Sequence, residues 1–136
     1  MRDVFADTDY WIALLGPRDQ SHLRAIEISV QLQAVRIVTS YWVLTEFLNG
    51  LANSGPEMRS AAVSAVDSLR SKASVTVVPQ TRQAFTEALN LYRARTDKGW
   101  SMTDCSSFLI MERYGIESAL TSDRHFEQAG FKALMR

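Results

Sequence analysis

Short apolar segments alternate with longer amphipathic segments along the sequence, and this alternation constrains the fold more than any other feature. The short segments are typical of strands buried in a parallel sheet, whereas the longer ones space apolar residues three or four apart, as helices do. Strands are predicted at Val4–Ala6, Arg36–Thr39, 74–79 and 117–122, with a candidate fifth strand at 131–134. The pattern predicts an α/β fold with a mostly parallel sheet of four to five strands and helices on both faces.

The predicted helices have recognisable start residues. Ser40 and Ser101 are predicted N-caps, whose hydroxyl oxygens accept a hydrogen bond from the first helical turn, and Thr81 opens a further helix. Pro56 suits a first helical turn, because the N–H that proline lacks has no helical partner there. Helices are predicted from Thr8 or Asp9 to Leu15, from about Asp19 to Gln33, and over 41–53, 56–71, 81–95, 101–113 and a short stretch from Asp123. The second of these carries Leu23, Ile26, Val30 and Ala34 at helical spacing.

Composition narrows the class of protein. With 136 residues, 46% of them hydrophobic and 22% charged, the chain is predicted to form a single globular domain over 1–136. Fifteen basic residues balance fifteen acidic ones, so the overall charge neither indicates nor excludes a nucleic-acid partner. One cysteine excludes an intramolecular disulfide, and no segment has the apolar length of a membrane span. Asp3 and Asp7 interrupt the first apolar stretch, so no signal peptide and a cytoplasmic location are predicted.

Acidic residues follow the predicted strands at one edge of the sheet. Asp7 comes directly after the first strand and Asp123 after the fourth, and the carboxyl ends of parallel strands meet at one edge. Glu46 lies about two turns into the helix after the second strand, and Asp104 lies in the first turn of the helix that Ser101 precedes. These four acids are therefore expected to converge.

Each acid also has an ordinary structural interpretation. Asp7 and Asp123 precede helices and are possible caps, Asp104 is spaced to complete a capping box, and Glu46 fits a solvated helix face. Asp9 immediately precedes the apolar part of its helix, and one helix needs only one cap. Asp9 is therefore predicted to be the cap, which leaves Asp7 as the functional carboxylate.

Converging carboxylates predict a divalent cation. Without one they repel each other and raise one another's pKa values, whereas Mg²⁺ and Mn²⁺ prefer oxygen ligands. A carboxylate-held cation can polarise a phosphate and lower the pKa of a water molecule. The residue types and their placement predict metal-assisted hydrolysis of a phosphodiester bond.

With these residues considered together, the sequence resembles PIN domains, and among them the VapC-type toxin ribonucleases, over nearly its whole length. The segments that carry the resemblance are "VFADTDYWIALL", "SYWVLTEFLNGL" and "SMTDCSSFLIMERYGIESALTSDRHFEQAGF". The resemblance implies a three-layer α/β/α fold, bound Mg²⁺ or Mn²⁺, and hydrolytic RNA cleavage that leaves 5′-phosphates. It also implies that the catalytic, metal-binding acids are Asp7, Glu46, Asp104 and Asp123.

The sequence departs from related toxins at two positions. They commonly carry a small hydroxyl residue where this chain has Asp9, and often another acid where this chain has His125. Whether Asp9 or His125 takes part in the site, and whether it holds one ion or two, are left open by the sequence.

Further residues are candidate substrate contacts. Arg124 adjoins Asp123 and is a candidate phosphate contact, and Trp100 lies in a glycine-flanked loop where it is a candidate for stacking on a base. Hydroxyls near the acids are candidates for metal or phosphate contacts: Thr8, Ser101, Thr103 and Thr121.

The resemblance also implies partners, namely an RNA substrate, a cognate antitoxin and a second copy in a homodimer. The function predicted is a metal-dependent endoribonuclease that acts as the toxin of a toxin–antitoxin pair. The alternative is a non-catalytic PIN domain that binds RNA or a protein. The opening "DTDYW" also matches the start of haloacid-dehalogenase-like phosphatases, but that motif needs Thr or Val where Trp11 stands.

Overall fold

A five-stranded, all-parallel sheet forms the centre of the molecule, in the order β3-β2-β1-β4-β5. The computed structural model describes residues 2–32 and 35–136. The strands are β1 (Val4–Ala6), β2 (Ile37–Ser40), β3 (Val75–Val78), β4 (Ser118–Leu120) and β5 (Lys132–Ala133). Helices flank the sheet, so the predicted three-layer α/β/α fold with a parallel sheet is confirmed.

Seven helices connect and follow the strands in the described part of the chain. They are α1 (Thr8–Leu15), α2 (His22–Gln31), α3 (Tyr41–Gly50), α4 (Pro56–Ser71), α5 (Arg82–Ala94), α6 (Met102–Tyr114) and α7 (Arg124–Gln128). The start of α2 lies later than predicted, because the carboxylate of Asp19 accepts a hydrogen bond from the Ser21 amide and holds a turn there. The predicted end of this helix, Gln33, and the last residue of its apolar stripe, Ala34, lie outside the described residues. None of the helices in the described ranges is long and apolar enough to cross a bilayer.

The predicted N-caps Ser40 and Ser101 are confirmed, and Thr81 caps its helix in the same way. Ser40 Oγ accepts a hydrogen bond from the Val43 amide at 3.1 Å, and Thr81 Oγ1 accepts one from the Ala84 amide at 3.0 Å. Ser101 forms a reciprocal capping box at the start of α6. At the other end of α6, Gly115 has a φ of +67°, which glycine adopts without the strain that a Cβ would cause.

The strand order creates a switch point beside β1. From β1 the chain moves to β2 and β3 on one side, and then returns to place β4 and β5 on the other side. Phe5 pairs with Val38 of β2 and with Ala119 of β4, and all three side chains are buried. In open parallel sheets ligands bind outside the carboxyl ends of the strands at such a point. The residues that follow β1 and β4 are therefore the first place to look for a site.

The apolar stripe predicted on α2 faces solvent. Leu23 is 80% exposed, Val30 is 62% exposed and Ile26 is 41% exposed. The residues of α2 that enter the core are Ala25 and Ile28 on the opposite face. The exposed stripe therefore contributes little to the core of this chain.

Candidate active site

One cleft at the carboxyl edge of the sheet contains all four predicted acids. It has a volume of about 340 Å³ and also includes His125 and the second acid of the opening segment, Asp9. Its acidic lining residues are Asp7, Asp9, Glu46, Asp104 and Asp123. We call it the acidic cleft. It lies where the switch point between β1 and β4 predicts a ligand site.

Asp7 is held by a hydroxyl from the neighbouring strand end. It is 7% exposed, and its Oδ2 accepts a hydrogen bond of 2.9 Å from Thr121 Oγ1. Thr121 Oγ1 also accepts a hydrogen bond from the Asp123 amide at 3.1 Å, so its own proton is available for Asp7. Asp7 precedes α1, but its side chain makes no capping hydrogen bond. The predicted distinction between Asp7 and a structural cap is therefore consistent with its contacts.

Asp104 combines its structural and candidate functional roles. Its Oδ2 accepts a hydrogen bond of 3.0 Å from the Ser101 amide, which completes the capping box, and lies 2.9 Å from His125 Nδ1. Both contacts involve the same oxygen. The carboxylate is therefore fixed in orientation while its second oxygen is not used by these contacts.

Asp123 and His125 meet Asp104 in the same corner of the cleft. Asp123 Oδ1 accepts a hydrogen bond of 2.8 Å from the His125 amide, so Asp123 does cap α7. His125 Nδ1 lies 3.4 Å from this Oδ1 atom. Each of the three side chains offers one ligand atom, and these atoms lie within 4.8 Å of one another. The group could hold a metal ion through two carboxylates and one imidazole.

The prediction that Asp9 caps α1 is wrong. The helix begins at Thr8, so Asp9 lies inside its first turn. Its Oδ2 instead accepts hydrogen bonds from the amide and the hydroxyl of Ser122, at 2.8 and 2.6 Å. Asp9 therefore ties the first turn of α1 to the segment that follows β4.

Two buried oxygens of cleft residues have no hydrogen-bond partner among residues 2–32 and 35–136. They are Thr8 Oγ1 and Asp9 Oδ1. Buried polar atoms usually find partners, because leaving them unpaired is costly. Oxygen atoms of this kind in an acidic cleft fit the ligand preferences of a hard cation such as Mg²⁺ or Mn²⁺.

Burial and charge make this cleft unfavourable for ionised carboxylates. Burial raises the pKa of Asp7 from 3.8 to about 8, and the nearby charge of Asp9 adds to this effect, while the backbone amide of Thr8 and the hydroxyl of Thr121 oppose it. Burial also raises the pKa of Asp104, although the Ser101 amide and His125 oppose the shift. A cation would stabilise the ionised forms, so the electrostatics fit a metal site.

Comparison with known proteins identifies the family. A family model described as the PIN domain matches residues 4–132. The chain belongs to the PIN-domain family. It is 30% identical over 128 residues to the 23S rRNA-specific endonuclease VapC20 of Mycobacterium tuberculosis, in strains H37Rv and CDC 1551. This alignment covers 94% of the chain and 95% of the relative.

Solved structures agree with this assignment. The crystal structure of Mycobacterium tuberculosis VapC20, described as a sarcin-ricin loop cleaving toxin, matches with a TM-score of 0.83 and 28% identity, over 94% of this chain and 95% of that one. FitAcB from Neisseria gonorrhoeae matches with a TM-score of 0.62 and 14% identity, over 96% and 95% of the two chains, and shares the fold. The predicted resemblance to VapC-type PIN domains is confirmed.

The remaining predicted contacts of this PIN domain occupy different environments. Thr8 and Ser101 line the acidic cleft, and Thr121 is fully buried beneath it. Arg124 is exposed and makes no ion pair among the described residues. Trp100 is 7% exposed, and its indole N–H donates to Gln128 Oε1 at 3.0 Å. Their roles in substrate binding stay predictions.

The sequence left open whether two cleft residues, His125 and Asp9, take part in the site. The contact of His125 with Asp104 joins positions 21 residues apart, and that of Asp9 with Ser122 joins positions 113 residues apart. For His125 the available signal was the replacement of an acid that related toxins often carry. For Asp9 the signal was a second acid at a helix start that needs only one.

Proposed function

We propose that this PIN domain is a metal-dependent endoribonuclease and the toxin of a toxin–antitoxin pair. The observation that carries the proposal is the convergence of Asp7, Glu46, Asp104 and Asp123 in one cleft at the carboxyl edge of the sheet. Similarity to an endonuclease over 94% of the chain supports the same reaction class. A domain that only binds RNA has no need for so many carboxylates in one cleft, because carboxylates repel the phosphates of RNA.

The metal we propose is Mg²⁺ or Mn²⁺. Asp7, Asp104 and Asp123 would hold it, with Glu46 as a direct ligand or a contact through water. The bound ion supplies Lewis acidity, which neutralises charge on the phosphate and lowers the pKa of a water molecule. His125 is a further candidate ligand, since its Nδ1 lies 2.9 Å from Asp104 Oδ2.

The protein's own contribution is to orient these groups before RNA binds. Thr121 fixes Asp7, and the capping box with Ser101 fixes Asp104. Such preorganisation removes the cost of arranging the carboxylates during the reaction. Arg124, next to Asp123, is proposed to contact a phosphate of the substrate. Cleavage is proposed to leave a 5′-phosphate on the downstream fragment.

The RNA we propose to test first is 23S ribosomal RNA. VapC20, the relative that aligns over most of both chains, is named a 23S rRNA-specific endonuclease. At 30% identity the fold is shared more readily than the loops that select a sequence. The proposal for this chain therefore extends to the class of RNA and not to one cut site.

A cognate antitoxin and a second copy of the chain are the proposed protein partners. The exposed stripe of α2, formed by Leu23, Ile26 and Val30, supports an interaction surface. Leu48 of α3 and Val63 of α4 add exposed apolar side chains. Exposed apolar surface of this kind favours burial against a partner.

The deciding experiment is cleavage of a total-RNA pool and of purified ribosomes by the antitoxin-free protein. Mg²⁺, Mn²⁺ or EDTA is added in parallel, beside an Asp104→Asn variant. The asparagine oxygen can still accept a hydrogen bond from the Ser101 amide, so the helix cap is retained while a negative charge is lost. We expect discrete, metal-dependent cuts that fall at least about 100-fold in the variant. A folded wild-type protein that binds RNA but cuts none with either ion would favour the binding-only alternative.

A further inference from the structure

A second cleft opens beside the acidic cleft and shares Glu46 with it. Its volume is about 320 Å³. Its lining residues come from one face of α3, the segment before α5, α5 itself and the start of α6: Trp42, Thr45, Glu46, Asn49, Gln80, Phe85, Met102 and Thr103. We call it the Phe85 cleft. Any chain that crosses the acidic cleft at Glu46 can reach it directly.

Phe85 presents an aromatic surface in this cleft. The side chain is 49% exposed, and its ring packs edge-on against Trp42 with the centroids 5.9 Å apart and an interplanar angle of 65°. Trp42 is 8% exposed and anchored in the core, so it holds the Phe85 ring in position. A single exposed aromatic residue needs no special explanation, but this one borders the proposed reaction centre. Exposed aromatic rings are the usual stacking partners of unpaired bases.

The polar groups around Phe85 are available for hydrogen bonds. The side-chain amides of Asn49 and Gln80 are exposed and have no hydrogen-bond partner in the part of the chain that the structure describes. Each amide carries donors and an acceptor, as the edges of nucleobases do. An aromatic surface and two free amides that line the same cleft match the chemistry of a base, which has an apolar face and a polar edge.

Charge distinguishes a base from a phosphate as the occupant. Glu46 is the only ionisable residue among those that line the Phe85 cleft. A phosphate there would be repelled by this carboxylate and would meet no cation. A different cleft, which borders the acidic cleft at Gly99 and Ser101, contains Arg95 and Lys98 and suits the backbone better.

We propose that the Phe85 cleft binds an unpaired RNA base next to the bond that is cut. The base stacks on Phe85, and its edge contacts Asn49 and Gln80. The inference rests on the proposed function for the position of the cut, but the binding of the base does not require cleavage. It makes this cleft a determinant of which nucleotide flanks the cut site.

The test is binding of fluorescent single-stranded RNA in EDTA, measured by anisotropy at low salt. The probes are a mixed-sequence oligonucleotide, the four homopolymers and an oligonucleotide of abasic ribose phosphates. We expect Phe85→Ala to raise the Kd for mixed-sequence RNA about 10- to 100-fold, whereas Phe85→Tyr keeps it within about threefold. The abasic probe should bind wild type and Phe85→Ala equally, because it has no base to stack.

Tyr114→Ala is the matched control. Tyr114 is 44% exposed and lies at the far end of α6 from Asp104, so its loss should leave the Kd unchanged. Asn49→Ala and Gln80→Ala should alter the ranking of the four homopolymers. An unchanged Kd for Phe85→Ala, an equal loss on the abasic probe, or the absence of RNA binding by the wild type would each overturn the proposal.

This binding experiment and the cleavage assay with Mg²⁺ or Mn²⁺ together separate this inference from the proposed function. If the wild type binds RNA through Phe85 but cuts none with Mg²⁺ or Mn²⁺, the base site stands and the nuclease proposal fails. If it cuts RNA while Phe85→Ala binds and cuts at the same nucleotides as the wild type, the nuclease stands and the base site fails.

Discussion

Asp7→Asn is expected to make the metal-free protein more stable at neutral pH while destroying its metal site. The folded chain holds the Asp7 carboxyl at a pKa of about 8, against 3.8 for an ordinary aspartate. Between these two values the folded state binds a proton that the unfolded chain has already lost. The contribution of Asp7 to stability is therefore complete below pH 3.8 and is lost as the pH rises towards 8.

The expected gain in stability follows from how far the pKa of Asp7 is raised. One pKa unit corresponds to about 1.4 kcal/mol, so at pH 7 the buried carboxyl costs up to about 4 kcal/mol. This is an upper limit, because relaxation and entry of water reduce the cost of burying a charge. An asparagine does not titrate, and its amide oxygen can still accept the hydrogen bond from Thr121. For a chain of this length, about 3 °C per kcal/mol gives a rise in Tm of up to about 12 °C.

The assay is urea and thermal unfolding in EDTA from pH 4 to pH 8.5, followed by circular dichroism. The advantage of Asp7→Asn over the wild type should be near zero at pH 4 and should grow with pH. Asp3→Asn, at the other end of β1 and outside the acidic cleft, controls for the loss of one negative charge. Adding Mg²⁺ or Mn²⁺ should stabilise the wild type more than Asp7→Asn. A variant that is less stable than the wild type at pH 7 in EDTA would refute this reasoning.

Substitutions at two further positions, His125 and Ser101, test the groups that surround Asp104. His125→Ala removes the imidazole beside Asp104 and Asp123 and should weaken Mg²⁺ and Mn²⁺ binding about 10-fold or more, measured by calorimetry. His125→Asp should recover the Mg²⁺ affinity, since Mg²⁺ prefers oxygen ligands. Equal affinities in the wild type and both variants would show that His125 is not part of the metal site. Ser101→Ala breaks the capping box and should lower the free energy of unfolding by about 1 kcal/mol in urea. An unchanged midpoint of urea unfolding in Ser101→Ala would show that the cap contributes nothing to stability.

Contacts between residues close in the sequence were predicted well. Ser101 and Asp104 lie three residues apart, and the geometry of a helix start alone brings them together. The convergence of Asp7 with Asp123 needed only parallel strands, because such strands bring their carboxyl ends to one edge. The parallel pairing of the strands was also predictable, because strands that alternate with helices have few other topologies available.

Individual hydrogen bonds between distant segments were not predictable. Asp9 was expected to cap its own helix, but Ser122 offers it two hydrogen-bond donors that only the folded sheet brings near. The stripe of α2 shows a different problem, because this helix has apolar residues on both faces. Helical spacing alone cannot tell whether Ile26 or Ile28 enters the core, and the structure buries Ile28.

The hydrogen bond between Thr121 and Asp7 spans 114 residues, and it has a consequence for how the protein is made. A growing chain on the ribosome contains Asp7 long before it contains Thr121, whose hydroxyl orients this carboxylate. No fragment that ends before Thr121 can assemble the acidic cleft. The acidic cleft is therefore complete only after translation has passed His125.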